Sequence, residues 1–374
     1  MLKLLHTADL HLGLESAQFD VDARRRLARA RLDVARTILS VAEQYAVDAV
    51  LWAGDVFDTP EPIEDWWRGF AEVLSARRGW TRPVVLLPGN HDPVKLNSVY
   101  HPDHPFRALL PDWVHVVDCD NFELSLGDDA VLVAAPCRSM AGAEDLALSL
   151  PGRAEDDGRI RVGLVHGSTF DMEGYQTSFP IARDAPQQRG LDYLAVGDTH
   201  AFRMITDSGK APIVYPGAPE QTRFGETGTG QVALVALARA GARPTVERIT
   251  VGRWTWREEV VSSLESLRRL ASEDLSTTAL RLRLEMSVSV SDERSVEQLI
   301  RQLKGDAANS GRAGAFVVDR GGLRIDIGDI GDLLQGAPDT LSGVAGRLAA
   351  AAAADDEAGR ALQLLYRMMS EARA

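Results

Sequence analysis

Short apolar runs alternate with amphipathic stretches over residues 1–253. The runs at 2–5, 47–52 and 84–87 are bounded by turn residues, which is typical of buried strands. Apolar residues recur at helical spacing over 24–45 and 64–76, and this spacing predicts two helices. The alternation predicts an α/β domain whose strands lie beneath helices. Further strands are predicted at 114–117, 131–135, 160–165, 193–196, 213–215 and 232–237.

The pattern changes near Trp254, and a smaller α+β unit is predicted over 254–330. Residues 280–290 alternate strictly between apolar and polar side chains, which predicts a strand with one buried face. Its neighbours are two predicted helices and two short predicted strands. These lie at 262–270 and 293–303, and at 316–318 and 323–327.

Residues 331–374 form a third segment, because Gly331 and Gly336 interrupt the preceding pattern and helical spacing follows. A final helix is predicted over 356–372. Its apolar stripe either packs on the protein's own core or binds a partner. The stripe comprises Leu362, Leu365, Met368 and Met369.

Composition and charge narrow the class of protein. Hydrophobic residues make up 45% and charged residues 25%, which is ordinary for a soluble globular chain. Neither a membrane helix nor a signal peptide is recognisable, so we expect a cytoplasmic protein without membrane association. Cys119 and Cys137 lack the spacing of a zinc–thiolate site. The net charge of −13 argues against a surface that attracts nucleic acid throughout, but carboxylates around metal ions would be compatible with a nucleic-acid enzyme.

Five short motifs, each just after a predicted strand, carry Asp, His and Asn side chains. Loops at strand ends can bring such distant residues together. Oxygen and nitrogen ligands without thiolate suit Mn²⁺, Fe, Co²⁺ or Zn²⁺ rather than Ca²⁺, and two such ions can activate water and polarise a phosphoryl group. Any one motif alone fits a turn, but the whole set predicts a two-metal site. The motifs are Asp9-Leu-His11, Gly54-Asp55-Val-Phe-Asp58, Gly89-Asn90-His91-Asp92, Val165-His166-Gly167 and Gly197-Asp198-Thr-His200.

Three neighbouring features are interpreted as structural. His6, close to Asp9, is predicted to be a packed strand histidine. The glycine-rich stretch 225–230 lacks the GK[ST] of a phosphate-binding loop and is interpreted as a turn. The arginines at 24–26 are interpreted as a solvated helix face.

The ordered motifs resemble those of the calcineurin-like metallophosphoesterases. The opening LHTADLHLG, the GDVFD motif and the YPGAP at 215–219 narrow the resemblance to the SbcD branch of DNA repair nucleases, including YhaO-type exonucleases. This resemblance implies a metallophosphoesterase β-sandwich flanked by helices over 1–253. It also implies a small α+β capping domain over 254–330 and a C-terminal helical segment over 331–374 that binds an ATPase partner.

The resemblance also implies a role for each matched residue. His91 would lie beside the scissile phosphate and stabilise its charge or protonate the leaving oxygen, since histidine exchanges protons near neutral pH. Asp92 would brace the loop or orient His91. One metal ion would be held by Asp9, His11 and His200, and the other by Asn90 and His166, with Asp55 bridging both.

One position departs from the family pattern. The last motif is usually G-H-x-H, whereas this chain has Asp198 at the first histidine. An aspartate can bind a hard cation through oxygen, but it is shorter than histidine and adds a negative charge. We expect Asp198 to bind the second metal ion. The alternative is that Asp198 does not reach, which would leave the second site weak or empty.

The function implied is that of a two-metal-dependent DNA exonuclease, with possible endonuclease activity, acting in DNA repair. The expected cofactor is Mn²⁺, with Mg²⁺, Fe, Co²⁺ and Zn²⁺ as alternatives. The expected partners are DNA, an SbcC-like coiled-coil ATPase and a second copy of the chain. Two other functions stay open. One is a phosphodiesterase or phosphatase acting on small molecules or phosphoproteins, and the other is a catalytically weak scaffold subunit.

Overall fold

The computed structural model describes residues 1–77, 79–169, 178–206, 211–305, 311–326, 338–352 and 354–373. The chain divides into two compact units, Met1–Trp256 and Arg257–Ala374. Within the described ranges, no helix is both long and apolar enough to cross a membrane.

The first unit is built on mixed β-sheets, as the apolar runs predict. Its strands are β1 (Leu2–Thr7), β2 (Ala49–Trp52), β3 (Val84–Leu86), β4 (Val114–Val116), β5 (Phe122–Ser125), β6 (Ala130–Ala134), β7 (Ile160–His166), β8 (Tyr193–Gly197), β9 (Arg203–Ile205), β10 (Ile213–Tyr215), β11 (Gln231–Leu237) and β12 (Thr245–Thr250). In the described part of the unit they form two six-stranded sheets, ordered β12-β11-β1-β2-β3-β4 and β5-β6-β7-β8-β10-β9.

The two sheets pack face to face, and alternate residues of each strand serve different cores. In β2, Ala49 and Leu51 belong to the core that both sheets share. Val50 and Trp52 of the same strand pack instead with helical residues. All four side chains are buried, which is why the central strands appear as continuous apolar runs. The α/β prediction is therefore confirmed.

Helices cover the outer faces of the sheets. The longest, α1 (Val21–Gln44), begins three residues earlier than the apolar spacing predicts, because the Asp20 side chain accepts a hydrogen bond from the Ala23 N–H at 2.8 Å. The other helices of this unit are α2 (Glu64–Ser75), α3 (Pro105–Ala108), α4 (Leu146–Ser149) and α5 (Ala185–Gln188).

In the second unit, one sheet carries the strands β13, β14 and β15 in that order. The strictly alternating segment is β14 (Leu275–Ser289), whose Leu282 is buried while Arg283 is exposed. The elements around it are β13 (Thr255–Val261), α6 (Leu264–Ser272), α7 (Val290–Lys304) and β15 (Ala313–Asp326).

The two strands predicted at 316–318 and 323–327 are wrong as separate elements, because the structure has the single strand β15 across them. The strand continues through Gly321 and Gly322, and an irregularity in its register against β14 takes up the extra residue. Residue 327 lies outside the described residues.

The terminal segment contains α8 (Asp339–Ala352) and α9 (Asp356–Arg373). The predicted breaks at Gly331 and Gly336 lie outside the described residues. In α9, Leu362 and Tyr366 are buried, and Tyr366 joins the core of the second unit. Leu364 and Met368 are 59% and 60% exposed. The helix therefore has one face against its own unit and an exposed apolar pair elsewhere.

Candidate metal centre

The five sequence motifs meet at the carboxyl ends of parallel strands. Asp9 and His11 follow β1, and Asp55 follows the parallel neighbour β2. Two backbone hydrogen bonds join these loops, from Asp9 N–H to Gly54 O at 3.1 Å and from His11 N–H to Asp55 O at 2.9 Å. In the other sheet, His166 ends β7 and Asp198 follows the parallel strand β8.

Four of the site residues adopt backbone angles that L-amino acids rarely take. Asp9, His11 and Asp55 have φ values of 54°, 48° and 54°, and Asp198 has a φ of 102°. Such conformations cost of order 1–3 kcal/mol each and persist only where surrounding structure enforces them. Because they are concentrated here, the fold maintains the directions of these side chains in spite of the backbone strain.

Two glycines allow the loops to approach each other closely. A Cβ atom on Gly54 would lie 2.1 Å from Nδ1 of His166, and one on Gly89 would lie 2.1 Å from Oδ1 of Asp55. Any side chain at either position would displace a predicted ligand. The glycines in the GD and GN motifs are therefore steric requirements of the centre.

Asp9, His11 and His200 form the first potential metal-binding group, with ligand atoms within 4.8 Å of one another. Nδ1 of His11 lies 3.0 Å from Oδ1 of Asp58, and Nδ1 of His200 lies 2.7 Å from Oε1 of Glu226. Carboxylate oxygens only accept, so each Nδ1 donates its hydrogen, and Nε2 of each neutral ring carries a lone pair. These two Nε2 atoms are 3.1 Å apart. A cation bound by both rings would relieve that repulsion.

Asp9, Asp55 and His166 form a second group of the same size. Nδ1 of His166 donates to the Ala53 carbonyl at 2.8 Å, which leaves Nε2 as the lone-pair nitrogen of the neutral ring. That nitrogen lies 2.9 Å from Oδ1 of Asn90 and 3.4 Å from Oδ2 of Asp55. In the neutral ring, this lone pair and the surrounding carboxylate and amide oxygens form a set of acceptors, as in a ligand set for a cation.

The electrostatics also call for positive charge in the centre. Burial alone would lower the pKa of His166, but the carboxylates of Asp55, Asp9 and Asp198 outweigh it and raise that pKa to about 10. Burial raises the pKa of Asp9 to about 6, although His200 and His166 oppose the increase. Divalent cations would satisfy the same excess of negative charge. The residues present therefore fit two such ions.

Asp198 lies beside the second group but belongs to neither. Its Oδ1 is 4.0 Å from Nε2 of His166, and its Oδ2 accepts a hydrogen bond from Oγ of Ser168 at 2.5 Å. The backbone N–H of Asp198 donates to the Asp9 carboxylate at 3.0 Å. One carboxylate oxygen is therefore held by protein, and the other faces the second group.

His91 stands at the opening of the centre, and its side chain is 43% exposed. Its Nδ1 donates to the Asp58 carbonyl at 3.1 Å, and its ring meets that of His11 edge-on with centroids 4.8 Å apart. With Nδ1 occupied, Nε2 is the nitrogen that can meet a substrate. His11, Asp58 and His91 also form a third close group, which shares the hydrogen bonds just described.

Asp92 is fully buried and binds backbone rather than His91. Its oxygens accept from the N–H groups of Gly89 at 2.7 Å, Phe57 at 2.9 Å and Asp55 at 3.2 Å. Burial raises its pKa to about 7, with further help from Asp55. These contacts favour the bracing role over the orienting one.

Several residues that contact the predicted ligands received no role from the sequence. Asp58 lies within a recognised motif, three positions after Asp55, so its spacing offered a signal. Glu226 lies in the glycine-rich stretch interpreted only as a turn, and Ser168 follows the His-Gly motif. Neither Glu226 nor Ser168 carried a recognisable signal, because their contacts depend on how loops fold.

Comparison with known proteins identifies the family. A model of the calcineurin-like phosphoesterases matches residues 2–202. The chain belongs to this family. It is therefore a metallophosphoesterase with the α/β fold of mixed sheets flanked by helices, and the family uses two divalent metal ions.

Three curated relatives are similar to the chain. The uncharacterized metallophosphoesterase YhaO of Bacillus subtilis is 24% identical over 253 residues, 63% of this chain and 57% of that protein. The SbcD component of the nuclease SbcCD from the same species is 39% identical over 93 residues, 24% of this chain and 22% of the relative. DNA double-strand break repair protein Mre11 of Aeropyrum pernix is 27% identical over 270 residues, 68% and 62% of the two chains. Each match spans less than two thirds of the relative.

Proposed function

We propose that the chain is a two-metal-dependent DNA nuclease of the SbcD type that hydrolyses phosphodiester bonds in DNA repair or processing. The observation that carries the proposal is the convergence of two ligand groups sharing Asp9 beside the accessible imidazole of His91. DNA as the substrate is supported by relatives named as a nuclease and as a double-strand break repair protein.

Two divalent ions, with Mn²⁺ the preferred metal, would activate water and stabilise the entering and leaving oxygens of phosphoryl transfer. The protein's part is to fix its ligands before the ions arrive. The Nδ1 hydrogen bonds of His11, His166 and His200 turn each Nε2 into the centre, which lowers the cost of assembling the site. The proposed ligands are Asp9, His11 and His200 for one ion, Asn90, His166 and Asp198 for the other, and Asp55 for both.

His91 would act on the substrate itself. Its accessible ring lies at the opening, where a phosphate oxygen can reach Nε2. A protonated ring there would balance charge on the phosphoryl oxygens or deliver a proton to the leaving oxygen. Asp58 would keep the ring in place through the carbonyl contact.

The deciding experiment is cleavage of end-labelled linear double-stranded DNA by the purified chain with Mn²⁺, beside Asp55→Ala. Asp55→Ala is the comparison variant because the Asp55 carboxylate approaches both His11 and His166. Degradation by the wild type alone would support the proposal. Bis-p-nitrophenyl phosphate is assayed in parallel.

Other outcomes point to the other functions. Hydrolysis of the small phosphodiester without any DNA cleavage would replace the nuclease with a small-molecule phosphodiesterase. A protein that binds one ion or none and is inactive with every metal would be a scaffold subunit.

An SbcC-like coiled-coil ATPase is the proposed partner, and α9 is its proposed contact. Leu364 and Met368 lie four residues apart on this helix and are both largely exposed, as anchors for a partner helix would be. Leu364→Glu with Met368→Glu should abolish co-purification with the ATPase and leave nuclease activity unchanged. Glu357→Lys, at an exposed position of the same helix, is the control. We also propose a homodimer, which sedimentation analysis tests.

A further inference from the structure

The segment 220–226 lies between β10 and β11 and contacts two distant parts of the first unit. Its last residue binds the predicted metal ligand His200. Its first residues bind 253–256, the stretch that ends this unit before the second unit begins. The turn predicted at 225–230 overlaps the end of the segment, but a turn alone does not account for these contacts.

The His200 end is a closed network of hydrogen bonds. Oε1 of Glu226 lies 2.7 Å from Nδ1 of His200 and also accepts from Oγ1 of Thr222 at 2.6 Å. Oε2 of Glu226 accepts from the N–H of Thr222 at 2.8 Å. Oγ1 of Thr222 lies 3.1 Å from the same Nδ1. Moving the Glu226 carboxylate would therefore move the imidazole with it.

The other end of the segment binds backbone N–H groups. The Glu220 carboxylate, which is buried, accepts from the N–H of Arg253 at 2.7 Å and of Trp254 at 3.2 Å. Oε1 of Gln221 accepts from the N–H of Trp256 at 3.1 Å. Three backbone hydrogen bonds thus fix 253–256 to the segment.

The Gln221 side chain contacts both ends. Gln221 accepts from Trp256 through Oε1, and its Nε2 donates to the carbonyl of Glu226 at 3.2 Å. The aromatic ring of Phe224 meets that of Trp256 at a centroid distance of 4.9 Å. The contacts with 253–256 and the contacts with His200 therefore belong to one continuous network.

A buried arginine ties the same segment to the other motif of the centre. Arg31 donates to the Leu10 carbonyl at 3.0 Å and to the Gln221 carbonyl at 3.5 Å. Leu10 stands between the predicted ligands Asp9 and His11. The segment is thus held against the loop that supplies the remaining members of the first group.

We propose that 220–226 is a positioning segment for His200, and that its hold on His200 depends on its docking to 253–256. Glu226 is the positioning residue, and Gln221 transmits the docking. The inference rests on the proposed metal-binding role of His200. It goes further because it makes the occupancy of the centre sensitive to a stretch of chain outside every metal-binding motif.

The test is calorimetric titration of the full chain with Mn²⁺, without substrate. Glu226→Ala should weaken the affinity for one of two ions by about 10- to 100-fold, as loss of a ligand's orienting partner does. The Gln221 side chain contacts no proposed ligand, and Gln221→Ala should weaken the affinity for the same ion by about 2- to 30-fold. Thr222→Val is a near-isosteric second variant at the His200 end. Glu247→Ala, exposed on β12, is the matched control.

Folding is checked by urea unfolding in the presence of a chelator. A positioning role predicts little change in the free energy of unfolding. The double variant Gln221→Ala/Glu226→Ala should weaken binding no more than Glu226→Ala alone, because both act through one path. Wild-type affinity in Gln221→Ala, or full additivity in the double variant, would overturn the inference. If the wild type binds fewer than two ions, the proposed function fails instead.

Discussion

At the scale of single residues, the three imidazoles among the predicted ligands differ in the partner of Nδ1. His11 and His200 donate to carboxylates, whereas His166 donates to a backbone carbonyl. A carboxylate partner makes an imidazole a more basic ligand. The first group therefore supplies stronger nitrogen donors, while the second relies on carboxylate and amide oxygens. We infer that the two ions would be held with unequal affinity.

His91→Ala separates binding from chemistry. The side chain lies at the opening and belongs to neither ligand group around Asp9, so two Mn²⁺ should still bind. Hydrolysis should fall by about 10²- to 10⁴-fold, the range for loss of a group that moves a proton in the transition state. Calorimetry with Mn²⁺ and the rate on bis-p-nitrophenyl phosphate measure the two effects. Loss of the ions themselves would mean that His91 is a ligand.

Asp198→His restores the residue usual in the family. If the free oxygen of Asp198 faces an ion, histidine should retain or raise Mn²⁺-dependent activity and alter Mn²⁺ affinity. Both residue types tolerate the left-handed backbone found there. Ser168→Ala is the companion variant, since Ser168 holds the other oxygen. Unchanged affinity and rate in Asp198→His would show that the side chain points elsewhere.

His6 makes the fold sensitive to acid. It is fully buried, with Nδ1 2.9 Å from Oη of Tyr193, as expected for a packed strand histidine. Burial lowers its pKa from 6.5 to about 3. The unfolded chain therefore binds this proton first, and stability present above about pH 6.5 is lost as the pH falls toward 3.

Between pH 7.5 and 5, the wild type should lose about 2 kcal/mol more unfolding free energy than His6→Gln. Urea unfolding with a chelator measures both, so contributions from the metal ligands cancel. Equal losses would show that His6 is protonated in the folded protein.

The candidate ligands could be predicted from the sequence because their residue types are ones that bind metal ions. Asp55 and His166 are informative wherever they occur in such motifs. Glu226 is not, since a glutamate in a glycine-rich stretch has no distinguishing pattern. It acquires its role only when the chain brings it to His200, and that contact depends on the conformation of the loop.

At the scale of elements, predictability follows burial. Central strands such as β2 are buried on both faces and appear as apolar runs. The edge strands β5, β9 and β12 were missed because exposed residues interrupt them. In β12, Val246 and Ile249 are half-buried while Glu247 and Arg248 are exposed. The sequence of β12 therefore does not alternate with a period of two. Pairing with the neighbouring strand, rather than the local pattern, determines that this segment is a strand.

The alternation in β14 makes a matched pair of substitutions possible. Leu282 is fully buried in the core of the second unit, whereas Ser287 is exposed on the same strand. Leu282→Ala should reduce the unfolding free energy by about 2–5 kcal/mol through lost burial and a cavity. Ser287→Ala should stay within about 0.5 kcal/mol. Urea unfolding followed by circular dichroism compares them, and similar small effects would contradict the assignment of the buried face.

At the scale of the whole molecule, acidity and metal binding belong together. The net charge is −13, and the buried centre concentrates Asp9, Asp55, Asp92 and Asp198. An anionic substrate would meet repulsion over much of such a protein. Divalent ions reverse the sign of the potential at the one place where chemistry is proposed. Metal loading would therefore control both substrate approach and catalysis.

Metal loading should also stabilise the first unit, and the chain has a built-in reporter of this. All seven tryptophans lie within Met1–Trp256, so their fluorescence follows that unit alone. Each ion that binds only the folded state, at about 100 times its dissociation constant, contributes about 2.7 kcal/mol, which raises the melting temperature by roughly 5–10 °C. Chelated wild type sets the baseline for thermal unfolding with Mn²⁺. Asp55→Ala should lose most of the shift, because its carboxylate serves both proposed ions, and an undiminished shift there would place the bound Mn²⁺ outside this centre.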